Sequence, residues 1–206
     1  MEILVASRNK GKVREIRKAL KRLGVRIYSL DDFPGVSEIE EDGKSFAENA
    51  LKKARFYSKQ FGKLTLSDDS GLEVDRLKGL PGIYSARYAG ERATSQENNE
   101  KLLREMEGFP LSKRGARFKC AIAIAAPDGR EAVVEGSCRG KIGFALMGKN
   151  GFGYDPLFIL PQYGKTMAQL SLEEKNRISH RGKALRKLRR LFKTFIEGDR
   201  GVAQPG

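Results

Sequence analysis

ARFKCAIAIAAPDGREAVVEGSCRG, residues 116–140, holds two strand-like runs on either side of PDGR. Proline sets φ and glycine supplies positive φ, so PDGR reads as a turn and the two runs predict one long antiparallel hairpin. That reading decides the fold. Elsewhere strands and helices alternate, a pattern that alone would build a parallel sheet. With the hairpin added, the expectation becomes an α/β protein with a mixed sheet.

Upstream, the apolar run KLTL, residues 63–66, predicts a strand ending in SDDSGLEVDRLKGLPGIYSARYAG, residues 67–90. Successive side chains of a strand point to opposite faces. Asp68 and Asp69 could therefore share a site only if the backbone turns there, and Gly71 makes a turn readable. MEILVAS reads as the first strand, and SRNKGKVREIRKALKRLG as a loop and helix with Val13, Ile16, Leu20 and Leu23 at helical spacing before Gly24. VRIYSL predicts a second strand. In SFAENALKKARFYSKQFG, Ser45 caps a helix, Phe46, Ala50, Ala54 and Tyr57 share a face, and Gly62 ends it. Thr94 and Glu97 form a capping box before a helix that stops at Gly108. The last helix begins near Ser179, and its stripe of Leu185, Leu188, Leu191, Phe192 and Phe195 is core. These elements predict one domain over residues 1–198 and a flexible tail over 199–206.

The chain has 206 residues, 39% of them hydrophobic and 32% charged, and no apolar run is long enough to cross a bilayer. MEILVAS is too short for a signal peptide and has no basic residue before it, so a cytoplasmic protein is expected. Cys120 and Cys138 lack metal-ligand spacing and read as small core residues. A net charge of +14 favours anionic partners, with nucleic acid, phosphorylated metabolites and acidic membrane surfaces all compatible. Much of the excess lies in KALKRLG and HRGKALRKLRRLFK, on helix faces that read as solvated.

Three stretches offer chemistry. Ser7, Asn9 and Lys12 surround Gly11 where a strand enters a helix, so backbone N–H groups, the helix dipole and Lys12 could converge on an anion. Taken alone, this reads first as an ordinary capped helix start. GKS at 43–45 is no Walker A motif, because Glu38 stands where the first glycine belongs. Next, Glu38, Glu40, Glu41 and Asp42 precede the helix bearing Glu48, Asn49 and Lys53, with Asp68 and Asp69 beyond. Mg²⁺ prefers one or two protein carboxylates plus waters and substrate phosphates; a solvated acidic loop with Asp68 capping a turn is the competing reading. Last, GFGYDPLF, residues 151–158, precedes LSLEEKNRISHRGKAL, whose Lys175, His180 and Arg181 could join Phe152 and Tyr154 around a flat heterocycle. Core packing of Phe152 and a helix-start role for His180 remain open.

Together, SRNKGKVREI, SFAENALKKAR, SDDSGLEVDRLKGLPGIYSARYAG, GFGYDPLF and SHRGKAL stand in the order and spacing of the inosine/xanthosine triphosphate pyrophosphatases, the Ham1-like family, which the chain resembles from Met1 to about Leu191. The resemblance implies an elongated mixed α/β fold with two lobes flanking a central nucleotide-binding cleft, usually in a homodimer. It implies hydrolysis of ITP, dITP or XTP with Mg²⁺ to the monophosphate and pyrophosphate. Ser7, Arg8, Asn9, Lys10, Gly11, Lys12 and Lys53 would hold the triphosphate. Glu40 and Asp69 would bind metal, with Asp69 also the base that activates water, and Ser70 would touch the substrate. Phe152, Gly153, Tyr154, Asp155, Lys175, His180 and Arg181 would form the base pocket.

Two other readings stay in play. One is a basic nucleic-acid-binding module, which needs no divalent metal and weakens steeply with salt. The other is a pyrophosphatase for modified pyrimidine triphosphates, like the Maf group.

Overall fold

The computed structural model describes residues 1–37 and 39–197; Glu38 and the expected tail, residues 199–206, lie outside the described residues. In chain order the elements are β1 (Glu2–Val5), α1 (Lys10–Leu20), β2 (Arg26–Ser29), α2 (Phe46–Phe61), β3 (Leu64–Val74), α3 (Ser95–Glu105), β4 (Gly115–Ala125), β5 (Glu131–Ile142), β6 (Phe158–Leu160), β7 (Lys165–Thr166), α4 (Leu172–Ile178) and α5 (His180–Glu197). Within the described residues the strands form one sheet in the order β2-β1-β3-β4-β5-β6-β7. β1 runs parallel to β2 and β3, and every later pairing is antiparallel. The sheet is therefore mixed, and the β4–β5 hairpin is its longest pairing.

The expected caps are present. Ser45 Oγ accepts from Glu48 N, Gly62 and Gly24 end their helices in the left-handed conformation, and Thr94 with Glu97 closes a capping box. Apolar helix faces then cover the sheet. α1 and α5 pack on Ile3, Val5, Leu66, Cys120, Ile122 and Ile124, while α2 lies on the alanines 121, 123 and 125 of β4, whose small side chains let it approach. A further cluster gathers Leu72, Val74, Leu102, Met106, Phe118 and Phe158 toward the other end of the sheet. Both cysteines are buried and free.

The expected turn at Asp68–Gly71 is absent. β3 continues through SDDSG to Val74, paired without interruption to β4 from Thr65↔Ala125 to Val74↔Ala116. An unbroken ladder outweighs the local preference of Asp, Ser and Gly for turns, since every backbone N–H and C=O it serves would otherwise need another partner. Gly71 serves close approach instead. A Cβ there would stand 2.4 Å from both Gly82 O and Ser85 Oγ, where Ser85 Oγ accepts from Leu72 N at 2.8 Å and donates to Gly82 O at 2.6 Å. Gly71→Ala is expected to lower stability by about 1–3 kcal/mol through overpacking, read as a fall in melting temperature; an unchanged melt would show that this contact yields freely.

β3 also outruns β1, and this positions the site. The β1 pairing stops at Val5↔Leu66, after which Ala6 N still donates to Leu66 O at 2.7 Å. From Ser67 the β1-side edge of β3 meets no strand among the described residues until the Glu73↔Pro81 bridge. The gap opens off the C-terminal end of β1, between connections that leave to β2 on one side and return to β3 on the other. Such switch points are where open α/β sheets bind ligands.

Candidate active site

A cavity of about 390 Å³ fills this gap. Ser7, Arg8, Asn9 and Lys12 come to it from the β1–α1 loop, Lys53 from α2, Asp69 and Ser70 from β3. Phe152, Gly153, Tyr154, Asp155, Lys175, His180 and Arg181 come from the C-terminal half. Thus residues from distant stretches of the chain line one cavity. Lys10, Gly11 and Glu40 do not reach it.

The pleat of β3 divides its two aspartates between opposite faces. Asp68 shares a face with Ser70 and Cys120: Ser70 Oγ donates to Asp68 Oδ1 at 3.1 Å and Cys120 Sγ approaches Asp68 Oδ2 at 3.1 Å. From α5, Arg181 donates Nε to Asp68 Oδ2 at 2.7 Å and NH2 to Asp68 Oδ1 at 3.1 Å, and Lys12 Nζ lies 2.9 Å from Oδ1. Burial alone would raise the Asp68 carboxyl, but Arg181 and Lys12 outweigh it and hold the group well below the usual carboxylate range. With every approach to its oxygens taken by a donor, Asp68 has no free lone pair for a water. It is a counter-ion.

The pairing extends further. Arg181 NH1 reaches Glu15 Oε2 at 2.8 Å, Lys175 Nζ reaches Glu15 Oε1 at 2.7 Å and Asp155 Oδ2 at 2.5 Å, and Phe152 N donates to the same Asp155 oxygen at 2.9 Å. Lys12, Arg181 and Lys175 thus balance Asp68, Glu15 and Asp155. Apart from Lys12, these side chains are at most 3% exposed. Paired so, buried charges escape most of the cost of isolation.

Asp69 faces α2. Its Oδ1 accepts the adjacent Ser70 N at 2.9 Å, and its Oδ2 is buried without a hydrogen-bond partner among the described residues. Burial pushes this carboxyl above the ordinary aspartate range against the pull of Lys12 and Lys53; Glu41 adds to the rise and the Asn49 side chain lowers it a little. Lys53 Nζ bonds Glu41 and lies 3.3 Å from Asp68 O, which Lys12 Nζ also reaches at 3.2 Å. Two ammonium groups and one unsatisfied carboxylate oxygen therefore meet at one end of the cavity. Among the described residues no three His, Cys, Asp or Glu side chains close around a metal. An orphaned oxygen of Asp69 with Glu41 on the same wall instead fits an open site, the kind a Mg²⁺ sharing its shell with phosphates takes. Glu40, the expected second ligand, is exposed and off the wall, while its neighbour Glu41 lies on it.

At the helix start, Asn9 Oδ1 caps Lys12 N at 3.1 Å and Ser7 Oγ accepts from Asn9 N at 3.1 Å, so the capped-start reading holds, yet both residues line the cavity. Arg8 clamps the following loop through Leu30 O at 3.0 Å and Val36 O at 2.7 Å. Lys10 is exposed. Gly11 leaves room for Phe152, whose Cδ1 would stand 2.4 Å from a Cβ at that position.

The opposite end is aromatic. His180 stacks on Phe118 with centroids 4.7 Å apart, and the Phe152 ring lies over Lys175 Nζ at 4.7 Å and Arg181 Cζ at 5.4 Å. Tyr154 is anchored through its hydroxyl to Ser85 O at 2.9 Å, and Gly153 O accepts from Asn99 Nδ2 at 3.0 Å. Burial and the nearby Arg181 and Lys175 push His180 well below its ordinary value, so the ring is neutral, with Nδ1 buried and without a hydrogen-bond partner among the described residues. Such a surface can stack a flat ring and offer polar atoms to its edge. Sequence reasoning missed Glu15, Phe118 and the role of Glu41. Only Glu15 left a signal, an acid beside Ile16 and one turn from Gly11 and Lys12 on α1.

The family model described as the Ham1 family matches residues 3–191. The chain is 55% identical to a dITP/XTP pyrophosphatase of Desulforamulus reducens over 187 residues, covering 91% of this chain and 93% of the relative. It is 50% identical to a dITP/XTP pyrophosphatase of Geobacillus kaustophilus, covering 96% and 97%. Among solved structures, a HAM1 protein from Coxiella burnetii superposes with a TM-score of 0.84 at 41% identity, covering 94% and 99%.

Proposed function

The chain belongs to the Ham1 family, and from that premise we propose that it hydrolyses the aberrant purine nucleoside triphosphates ITP, dITP and XTP to the monophosphate and pyrophosphate, clearing them from the nucleotide pool. Relatives named dITP/XTP pyrophosphatases at 50–55% identity support the substrate class. The observation that carries the chemistry is the buried, unpartnered Oδ2 of Asp69 beside Lys12 and Lys53.

In this reading Lys12 and Lys53 meet the triphosphate and stabilise the charge that grows on the departing pyrophosphate. Ser7, Arg8 and Asn9 line its path. Asp69 takes the proton of the attacking water at Oδ2, which accepts no hydrogen bond among the described residues. No covalent intermediate is needed. Asp69 and Glu41 would hold Mg²⁺, which when bound supplies charge neutralisation at the phosphates. Phe152, Tyr154 and the His180–Phe118 stack take the base. Arg181 donates four hydrogen bonds within the protein, to Asp68, Glu15 and Ser70, so it reaches the base as a fixed positive field with little donor capacity left. That field, with Lys175, favours the 6-oxo acceptor of hypoxanthine and xanthine over the amino donor of adenine.

The same reading expects a homodimer in the cytoplasm. No described helix is long and apolar enough to cross a membrane. Part of the charge that suggested nucleic acid lies on the outer face of α5, where Lys183, Arg186, Lys187 and Arg190 line a separate groove; the family match favours hydrolysis over that reading and over a pyrimidine substrate.

Pyrophosphate release measured over ITP, XTP, dATP, GTP and TTP, with Mg²⁺ and with chelator, tests the proposal. Fast release from ITP and XTP only, lost in chelator, is expected. Release of orthophosphate alone, or preference for TTP, would overturn it.

A further inference from the structure

We propose that Arg8 is a positioning residue, whose guanidinium ties the β1–α1 loop to the segment between β2 and α2. It thereby fixes where that segment presents Glu41 to the divalent cation of the nucleotide complex. The inference rests on the reading of the cavity as a site for a Mg²⁺-bound triphosphate, and it departs from the expectation that Arg8 grips the phosphates itself.

The segment after β2 brings Leu30, Ile39 and Glu41 to the cavity wall, yet beyond Ser29 its described residues join no strand. Backbone groups there need partners from elsewhere. Side chains supply them. Arg8 NH1 donates to Leu30 O at 3.0 Å and NH2 to Val36 O at 2.7 Å, with Asp31 Oδ1 3.4 Å from NH1. From α2, the buried Tyr57 donates its hydroxyl to Ser37 O at 3.0 Å and accepts from Ile39 N at 3.3 Å. Arg8 thus holds the segment at positions 30 and 36, Tyr57 at 37 and 39, and Glu41 stands two residues beyond the last of these bonds. Glu41 itself meets Lys53 through its carboxylate, and Arg87 NH2 reaches Glu41 O at 3.4 Å.

A guanidinium suits this task. Its rigid fork places two N–H groups on carbonyls six residues apart in the chain, whereas an ammonium is a single point of charge on a flexible stem. The next residue, Asn9, caps α1 at Lys12 N. The loop at the phosphate end and the segment that presents Glu41 are therefore tied to each other through one side chain. Groups that orient a metal ligand from behind contribute about tenfold or more to metal affinity.

Arg8→Lys keeps the positive charge at the phosphate end and removes the fork. Two calorimetric titrations separate the roles. In one, α,β-methylene-ITP, whose bridge resists cleavage, is added to the protein in chelator; in the other, Mg²⁺ is added to the complex of the protein with that analogue. Positioning predicts that Arg8→Lys leaves the first affinity at the wild-type value and weakens the second about tenfold. The Mg²⁺ concentration giving half-maximal pyrophosphate release from ITP should rise by a similar factor. A fall in nucleotide affinity as large as the fall in Mg²⁺ affinity, or no fall in Mg²⁺ affinity at all, would overturn the proposal. If the lysine variant does not fold, Arg8→Gln takes its place under the same criterion. Glu41→Gln keeps the two inferences apart. Where it lowers Mg²⁺ affinity and Arg8→Lys does not, only the part given to Arg8 fails; where it binds Mg²⁺ as the wild type does, the metal reading of Glu41 fails and the clamp falls with it.

Discussion

Asp69→Asn is expected to cut pyrophosphate release by roughly 10³-fold, the scale of a lost general base, while leaving the protein as stable as before or more so. The two halves of that expectation share one cause. Asp69 is buried, its Oδ2 has no partner, and its carboxyl is pushed up by burial against the pull of two lysines. A carboxyl raised in the folded state contributes stability that is fully present below its unfolded pKa and lost as pH rises through the folded one. At neutral pH the ionised side chain therefore works against folding, and a neutral asparagine of the same shape removes that opposition. Strain of this kind at an active site is the usual exchange of stability for function. The pH profile follows with the same sign. The wild-type rate should fall as pH drops through the Asp69 value, at higher pH than an ordinary aspartate near 4, and the residual rate of the variant should lack that limb. Steady-state assays together with thermal melts decide it: near-normal turnover, or lost turnover accompanied by a collapsed melt, would remove Asp69 from its assigned role.

Much of this arrangement is legible in the amino-acid sequence, and the parts that are not fail for physical reasons. The β4–β5 hairpin and the helices α1, α2, α3 and α5 are local: alternation, helical periodicity, caps and terminal glycines lie within a few residues of one another. The course of β3 is not local. Asp68, Asp69, Ser70 and Gly71 favour a turn by their own chemistry, and only the partner strand some fifty residues later overrides it. β6 and β7, with three and two residues, exist because neighbouring strands recruit them. By contrast α4 carried a readable signal, the Ser171–Glu174 capping box, but its seven residues are too few to show a helical period.

The site divides in the same manner. Lysines and aromatic residues clustered near glycines mark the cavity wall, because those residue types are costly to gather without a ligand. Which of two adjacent acids faces inward is another matter. Glu40 and Glu41 differ by one step in a loop without periodicity, so no spacing rule separates them. For Asp68 and Asp69 a rule does exist. Once β3 is known to continue, its pleat sends one carboxylate to the Arg181 side and the other to the Lys53 side. The doubled aspartate is thus two groups with opposite tasks, one neutralised by cations and one left hungry for a partner.

The second large effect concerns the neutralised one. Asp68→Asn removes one of three acids facing three cations in a buried set. Breaking a buried pair from one side leaves an uncompensated charge and costs about 3–5 kcal/mol, which for a chain of this size lowers the melting temperature by roughly 10 °C. Turnover should fall with it, since Arg181 and Lys12 lose the carboxylate that fixes them. Acid titration separates this role from catalysis. Asp68 and Glu15 are both held below the usual carboxylate range. Their contribution is complete above the unfolded value near 4 and is lost as pH falls through the depressed folded values. Wild-type stability should therefore decline steeply below about pH 4, and in Asp68→Asn that decline should be shallower from a lower starting point. A variant that melts like the wild type at neutral pH, with the same acid limb, would mean that the Arg181 guanidinium finds its balance elsewhere and that the six-charge set is not what holds the two ends of the cavity together.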